Sequence, residues 1–272
     1  MRKRIILIGI IILVLISGLI VMNLSKRYPA MQYTKDNKMG SSTELVSQAK
    51  NFEIKGDIPA ARSAYKELIN NFSSSNEVMD WQKKLENLNI KLIFSPEVTP
   101  KSTAYEIVPG DRLIKIAKKF NTTVELIKKS NNLSGDKIFP GKKLKIYTGV
   151  LSILVDKSQN ILMLKSNEEI IKTYIVSTGT NNSTPVGTFK VVNKLKNPTW
   201  FKSGAVISSG SKENVLGTRW MGFDLAGYGI HGTVEPENLG KQVTQGCVRM
   251  ENSEVEELYT MIPVSTEVTI VD

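Results

Sequence analysis

The hydrophobic pattern changes character several times along the chain. Ile5 to Met22 is an apolar run broken only by Gly9, Ser17 and Gly18, and it follows the basic start Met1-Arg2-Lys3-Arg4. Roughly eighteen such residues reach the lower limit for a bilayer-crossing helix. A signal peptide shares the basic start and apolar core, but no A-x-A-like site follows and no Cys stands there for lipidation. The pattern therefore predicts a cytoplasmic tail (1–4), a transmembrane helix (5–22) and a juxtamembrane linker (23–40). The basic flank orients the bulk of the chain outward, as a single-pass protein of the cell membrane.

Helical periodicity follows. Leu45, Ala49 and Phe52 recur at spacings of four and three, and Gly56-Asp57 then breaks the pattern. A second period runs through Ala60, Ala61, Ala64, Tyr65, Leu68 and Ile69, with Asp57 as cap and Pro59 in the first turn. A third helix is expected around Met79 to Leu92. The stretch Lys55 to Tyr65 resembles a tetratricopeptide unit, so 41–92 reads as a small helical spacer, with partner docking as the alternative. Pro96 and Pro100 mark a linker over 93–103.

Period two then appears in Tyr105 to Val108, before the turn Pro109-Gly110. Asp111 is expected to cap a helix bearing Leu113, Ile114, Ile116, Ala117 and Phe120. Thr122 with Glu125 is expected to open another. Ile138 to Ile146 adds a second Pro-Gly turn and a strand. This strand–helix–helix–strand pattern over 104–147 resembles a LysM domain. It does so at Pro109-Gly110-Asp111, Ile116-Ala117, Asn131-Asn132 and Pro140-Gly141-Lys142-Lys143-Leu144. The resemblance implies binding to N-acetylglucosamine-containing glycan, chiefly peptidoglycan.

From Leu151 the texture is that of strands: Leu151 to Val155, Ile161 to Leu164, Ile170 to Ser177, Gly187 to Val192 and Val268 to Val271. Ser253 with Glu256 suggests a capping box for one late helix. The fold class is then α+β and multidomain. It combines a transmembrane helix, a helical hairpin, a βααβ module and a β-rich, sandwich- or barrel-like domain over 150–272.

Charge adds a division. The net +10 is unevenly spread: +6 over residues 1–40, −1 over 41–100, +7 over 101–148 and −2 over 149–272. The excess lies beside the membrane and in the βααβ module, which suits an anionic cell surface. Export argues against nucleic acid.

The chain holds one histidine, His231, and one cysteine, Cys247. They cannot form a zinc finger, an Fe–S site or an intramolecular disulfide, and neither metal nor cofactor is expected. They stand in Gly229-Ile230-His231-Gly232-Thr233 and, sixteen positions on, in Thr244-Gln245-Gly246-Cys247-Val248-Arg249-Met250. A thiol attacks a carbonyl as thiolate, and a neighbouring imidazole can take its proton. Backbone N–H groups of Gly246 and Cys247 could form an oxyanion hole. No carboxylate stands out to orient the imidazole, and a backbone carbonyl is one candidate for that task. Asp156, Asp224 and Glu235 read as surface or turn residues.

These two segments, with Thr184-Pro185-Val186-Gly187-Thr188-Phe189, resemble the L,D-transpeptidase catalytic domain. One difference is Gln245, where many members carry His. The resemblance implies Cys247 as nucleophile, His231 as general base and acid, and a peptidoglycan stem peptide as substrate. The product would be a 3→3 cross-link or an amine attached to a tetrapeptide stem, or a trimmed stem if water replaces the acceptor amine; a catalytically silent wall-binding adaptor is the remaining alternative. Arg249 would bind a stem carboxylate, steady the nucleophile loop or form a structural ion pair. Gly232, Thr233, Thr244, Tyr228 and Trp220 are the substrate-binding candidates, with Trp200 a further candidate for the groove wall.

Overall fold

The computed structural model describes residues 41–202 and 204–272. The apolar segment 5–22 and the linker 23–40 lie outside them. Among the described residues no helix is long and apolar enough to cross a membrane.

Three helices open the described chain: α1 (Ser42–Lys55), α2 (Ile58–Asn71) and α3 (Val78–Phe94). Asp57 caps α2 as expected, accepting from Ala60 N–H at 3.1 Å. Ala49, Ala61, Ala64, Tyr65 and Leu68 bury their small and flat side chains against Trp81, Leu85 and Leu88 of α3. The next turn of α3 faces elsewhere. Ile90 and Ile93 join the core of the β-rich domain, and Asn89 Nδ2 donates to the Ile171 carbonyl at 2.9 Å. The helical region is thus anchored to its neighbour, and the expected linker begins later, because Ile93 and Phe94 are still helical.

Strand β1 (Ser102–Glu106) pairs antiparallel with β2 (Lys143–Tyr147), and α4 (Leu113–Lys119) and α5 (Val124–Ser130) lie between them in sequence. Ile107, Leu113, Ile116, Ala117, Ile127, Leu144 and Ile146 form their core. Two expected caps are corrected here. Asp111 does not cap α4; its carboxylate accepts from Val108 N–H and from Tyr105 O–H, each at 2.9 Å, and so closes the Pro-Gly turn. Thr123, not Thr122, caps α5, accepting from Leu126 N–H at 2.8 Å. Glu125 instead reaches Lys196 at 2.8 Å. Thr123 Oγ1 also donates to the Thr260 carbonyl, and Leu126 enters the β-rich core.

The remaining strands of the large domain are β3 (Leu151–Asp156), β4 (Ile161–Ser166), β5 (Glu169–Ile175), β6 (Thr178–Gly179), β7 (Gly187–Lys196), β8 (Trp200–Lys202), β9 (Ala205–Ile207), β10 (Arg219–Phe223), β11 (Gly229–His231), β12 (Gln242–Thr244), β13 (Val248–Arg249) and β14 (Glu267–Val271). Eight join one open sheet in the order β13-β11-β10-β7-β14-β3-β4-β5. This is the barrel-like alternative: a single hydrogen-bonded surface whose end strands, β13 and β5, are not paired along their length and meet only at a bridge between Arg249 and Ser177, two residues beyond β5. Helix α6 (Asn252–Met261) buries Val255, Leu258 and Met261 in its core. Its cap is Glu251, whose carboxylate accepts from Ser253 and Glu254 N–H groups, so the expected Ser253–Glu256 box does not form. Glu251 sits in extended backbone just before the helix, where an acceptor meets the free amides.

Both sheet edges are covered. Helix α3 packs beside β5, and Ser177 exchanges two backbone hydrogen bonds with Arg249 of β13 (2.8 and 2.9 Å). Covering an edge removes a template for unwanted strand pairing. At β13 the cover also fixes the strand that follows Cys247.

Candidate active site

Strands β11 and β13 run parallel, with Ile230 opposite Val248 and His231 opposite Arg249. Side chains alternate along a strand. Ile230 and Val248 are fully buried in the core, each worth roughly 1.5–3 kcal/mol. The other face therefore carries His231 and Arg249, with Cys247 just before β13 on the same side. Trp220 of β10 stands opposite His231, and its ring stacks on the imidazole at 6.0 Å. These four side chains line one cleft of about 700 Å³, together with Trp200, Phe201, Tyr228, Val243, Thr244 and Gln245, among others.

His231 is 4% exposed. Its Nδ1 lies 2.7 Å from the Gly232 carbonyl. A carbonyl only accepts, so this contact favours the tautomer with the ring hydrogen on Nδ1 and Nε2 as the basic nitrogen. Burial lowers the imidazole pKa to about 4; the Gly232 and Val215 carbonyls oppose that, and the Arg249 charge adds to it. Neutral imidazole is the resting form.

Cys247 is half-buried and free. Burial pushes its thiol pKa up, while a hydrogen bond from Gly229 N–H and the Arg249 charge pull it down. Sγ donates to the Gly227 carbonyl at 3.4 Å and not to the imidazole. The resting pair is thus neutral thiol and neutral imidazole, with the thiol held by the loop before β11.

Thr244 builds the nucleophile loop. Its Oγ1 donates to the Cys247 carbonyl at 2.7 Å and accepts from Gly246 N–H at 3.2 Å. The Gly246 amide is therefore committed within the loop, which departs from its expected place in an oxyanion hole. Gly246 has φ +129°, and a Cβ there would sit 2.7 Å from Tyr228 Cε1. Only glycine satisfies both constraints. Behind the loop, β12 pairs with β6, and Thr184 Oγ1 accepts from Gly179 N–H at 2.8 Å. The Thr184-Pro185 segment thus braces the nucleophile loop from behind.

Arg249 Nη1 pairs with Glu235 at 2.9 Å, while its Nε is buried without a partner. The side chain is thus both ion-paired and part of the cleft wall. Glu235 is a partner that sequence reasoning placed on the surface; nothing in its neighbourhood in sequence points to Arg249.

Trp200, Trp220, Tyr228 and Thr244 stand in the cleft wall. Gly232 and Thr233 do not, and their expected substrate contact is corrected. Both are buried behind the imidazole, Thr233 being 2% exposed. The chain turns inward after β11, so Gly232 offers its carbonyl to His231 and Thr233 binds Asn252. Sequence reasoning also missed Asn252, Gly227 and Phe201. Asn252 lies close to the Cys-Val-Arg segment, but an Asn at the start of a helix carries no signal of a long-range bond.

Comparison with known proteins identifies the family of the sequence. Residues 151–270 match the family model of the L,D-transpeptidase catalytic domain, and 105–146 match the LysM domain. Among relatives named as L,D-transpeptidases, YqjB of Bacillus subtilis is 44% identical over 126 residues, which is 44% of this chain and 70% of that protein. YkuD of Bacillus licheniformis is 31% identical over 175 residues, 61% of this chain and 97% of that protein. A solved L,D-transpeptidase from Mycobacterium smegmatis is 17% identical, covering 48% of this chain and 64% of that one, at a TM-score of 0.39. On the sequence matches, this chain belongs to the YkuD-type L,D-transpeptidase family and carries a LysM domain ahead of its catalytic domain.

Proposed function

We propose that the protein is a cysteine-dependent peptidoglycan L,D-transpeptidase that forms 3→3 cross-links and is held at its polymeric substrate by the LysM domain. The observation that carries this reading is the common face of β11 and β13, which brings His231, Cys247 and Arg249 into one cleft. In the donor step the thiol leaves the Gly227 carbonyl and passes its proton to Nε2 of His231. Sulfur attacks the carbonyl carbon at the third residue of a tetrapeptide stem. The carbon–nitrogen bond to the terminal D-alanine breaks, and the imidazolium returns the proton to the leaving amine. In the acceptor step the side-chain amine of another stem's third residue attacks the thioester and releases the thiol. The Cys247 amide is the remaining one of the two candidate oxyanion donors, and Arg249, a residue of the cleft wall, is the candidate partner for a stem carboxylate or carbonyl.

Water in place of the amine would make the protein an L,D-carboxypeptidase. Segment 5–22, read as an anchor, would keep the enzyme at the outer face of the cell membrane, and tether and LysM together would raise its local concentration at the wall. Incubation with a carbapenem followed by intact-mass measurement tests the nucleophile. One covalent adduct is expected on the wild type and none on Cys247→Ala. A folded, reduced wild type that stays unmodified would contradict the reading.

A further inference from the structure

Asn252 is the first residue of α6, yet its side chain reaches back to the segment that follows the histidine. Its Oδ1 accepts from Thr233 N–H at 3.2 Å and from Thr218 N–H at 3.1 Å, and its Nδ2 donates to the Thr233 carbonyl at 2.6 Å. The Thr233 N–H and the Gly232 carbonyl belong to one peptide group. A trans peptide is planar, with N–H and C=O pointing in opposite directions, so holding the N–H holds the direction of the carbonyl. That carbonyl is the one 2.7 Å from His231 Nδ1. Space is reserved for the arrangement: a Cβ on Gly232 or on Gly217 would collide with Asn252 Oδ1.

We propose that Asn252 is a positioning residue for His231, acting through the Gly232–Thr233 peptide to fix the imidazole's tautomer and direction. The proposal rests on the reading of His231 as the base for Cys247. It extends that reading along the chain Asn252, peptide 232–233, His231, Cys247. It also links the two motifs physically, since Asn252 lies just beyond the cysteine motif and its target lies within the histidine motif. Rotation of that peptide would remove the acceptor at Nδ1 and let the ring hydrogen move to Nε2, the nitrogen needed as base.

His231 is the protein's single histidine, so a long-range proton–nitrogen spectrum of the labelled full chain, purified without a histidine tag, reports its tautomer without assignment. The wild type is expected to show hydrogen on Nδ1. In Asn252→Ala the two ring nitrogens are expected to move toward a mixture of tautomers. The maximal carbapenem acylation rate should fall about a hundredfold, with half-saturation unchanged. Asn252→Asp, which keeps an acceptor for Thr233 N–H, should hold the Nδ1–H form and recover at least tenfold of that loss. A folded Asn252→Ala with the wild-type tautomer would overturn the proposal, as would a wild type with hydrogen on Nε2. If Asn252→Ala does not fold, loss of the Nδ1–H form in folded Asn252→Asp overturns it. A tautomer shift in a protein whose wild type is never acylated would uphold this inference and sink the enzymatic reading.

Discussion

Thr244 Oγ1 donates to the Cys247 carbonyl at 2.7 Å across the loop that carries the nucleophile. The same oxygen takes the Gly246 hydrogen, so one hydroxyl sets the loop on both sides of Gly246. Thr244→Val keeps the shape and removes both bonds. Each such bond is worth about 1 kcal/mol, so the variant should lose about 1–2 kcal/mol of stability by chemical denaturation. Carbapenem acylation should slow at least tenfold, and Thr244→Ser should retain most of the rate. Wild-type acylation by Thr244→Val would contradict this role for the hydroxyl.

The resting neutral pair has a signature in pH. The His231 pKa is lowered to about 4 from 6.5, so Nε2 stays available well below the usual imidazole range. The acid limb of kcat/KM should therefore fall near pH 4 and not near 6.5. Linkage has the same sign: an imidazole buried neutral contributes stability above pH 6.5 that is lost as pH falls through 4. The Cys247 pKa is raised, so alkylation by iodoacetamide should keep rising above the normal thiol range. An alkylation rate already at plateau at neutral pH would show a preformed ion pair and refute this account.

Glu169, at the start of β5, receives Arg62 and Lys66 from α2 and Lys101 from the segment before β1. Burial raises its pKa, but hydrogen bonds from Lys101 and Lys66 and the Arg62 charge bring it down to about 2. A depressed carboxylate pKa contributes stability present above about 4.5 and lost as pH falls through 2. Glu169→Gln should increase proteolytic cutting within residues 95–101 at neutral pH, where the wild type resists. It should also flatten the acid dependence of that resistance between pH 4.5 and 2. Identical cutting of both proteins would show that the cluster does not hold the helical region in place.

Lys145 of β2 is 3% exposed, and its ammonium donates to the Leu92 and Ser95 carbonyls at 2.7 Å and to Ile93 at 3.2 Å. It serves the C-terminus of α3, where carbonyls lack helical partners. Lys145→Met keeps the length and leaves those carbonyls without this donor. The expected loss is about 1–3 kcal/mol, read from the denaturation midpoint. An unchanged midpoint would remove Lys145 as a tie between the LysM domain and the helices.

What the sequence revealed follows from how local each signal is. The helices α1 to α3, the βααβ module and strands β3 to β5 carry their own periods or turns, and they emerge nearly where expected. His231 and Cys247 are legible because each sits in a dense motif. Strands β8 to β13 are two to five residues long, too short to show a period, and they include the pair that builds the cleft. Thr233 was misplaced because adjacency to His231 in sequence does not say which way the backbone turns. Glu235 and Asn252 act through partners fourteen and nineteen positions away, a relationship that only the fold supplies.

Muropeptide analysis after incubating the purified full chain with tetrapeptide-bearing peptidoglycan fragments tests the central claim most directly. The account predicts release of D-alanine with formation of 3→3-linked dimers by the wild type, and neither product from Cys247→Ala. No D-alanine release from folded, reduced wild type, or equal release from Cys247→Ala, would contradict it.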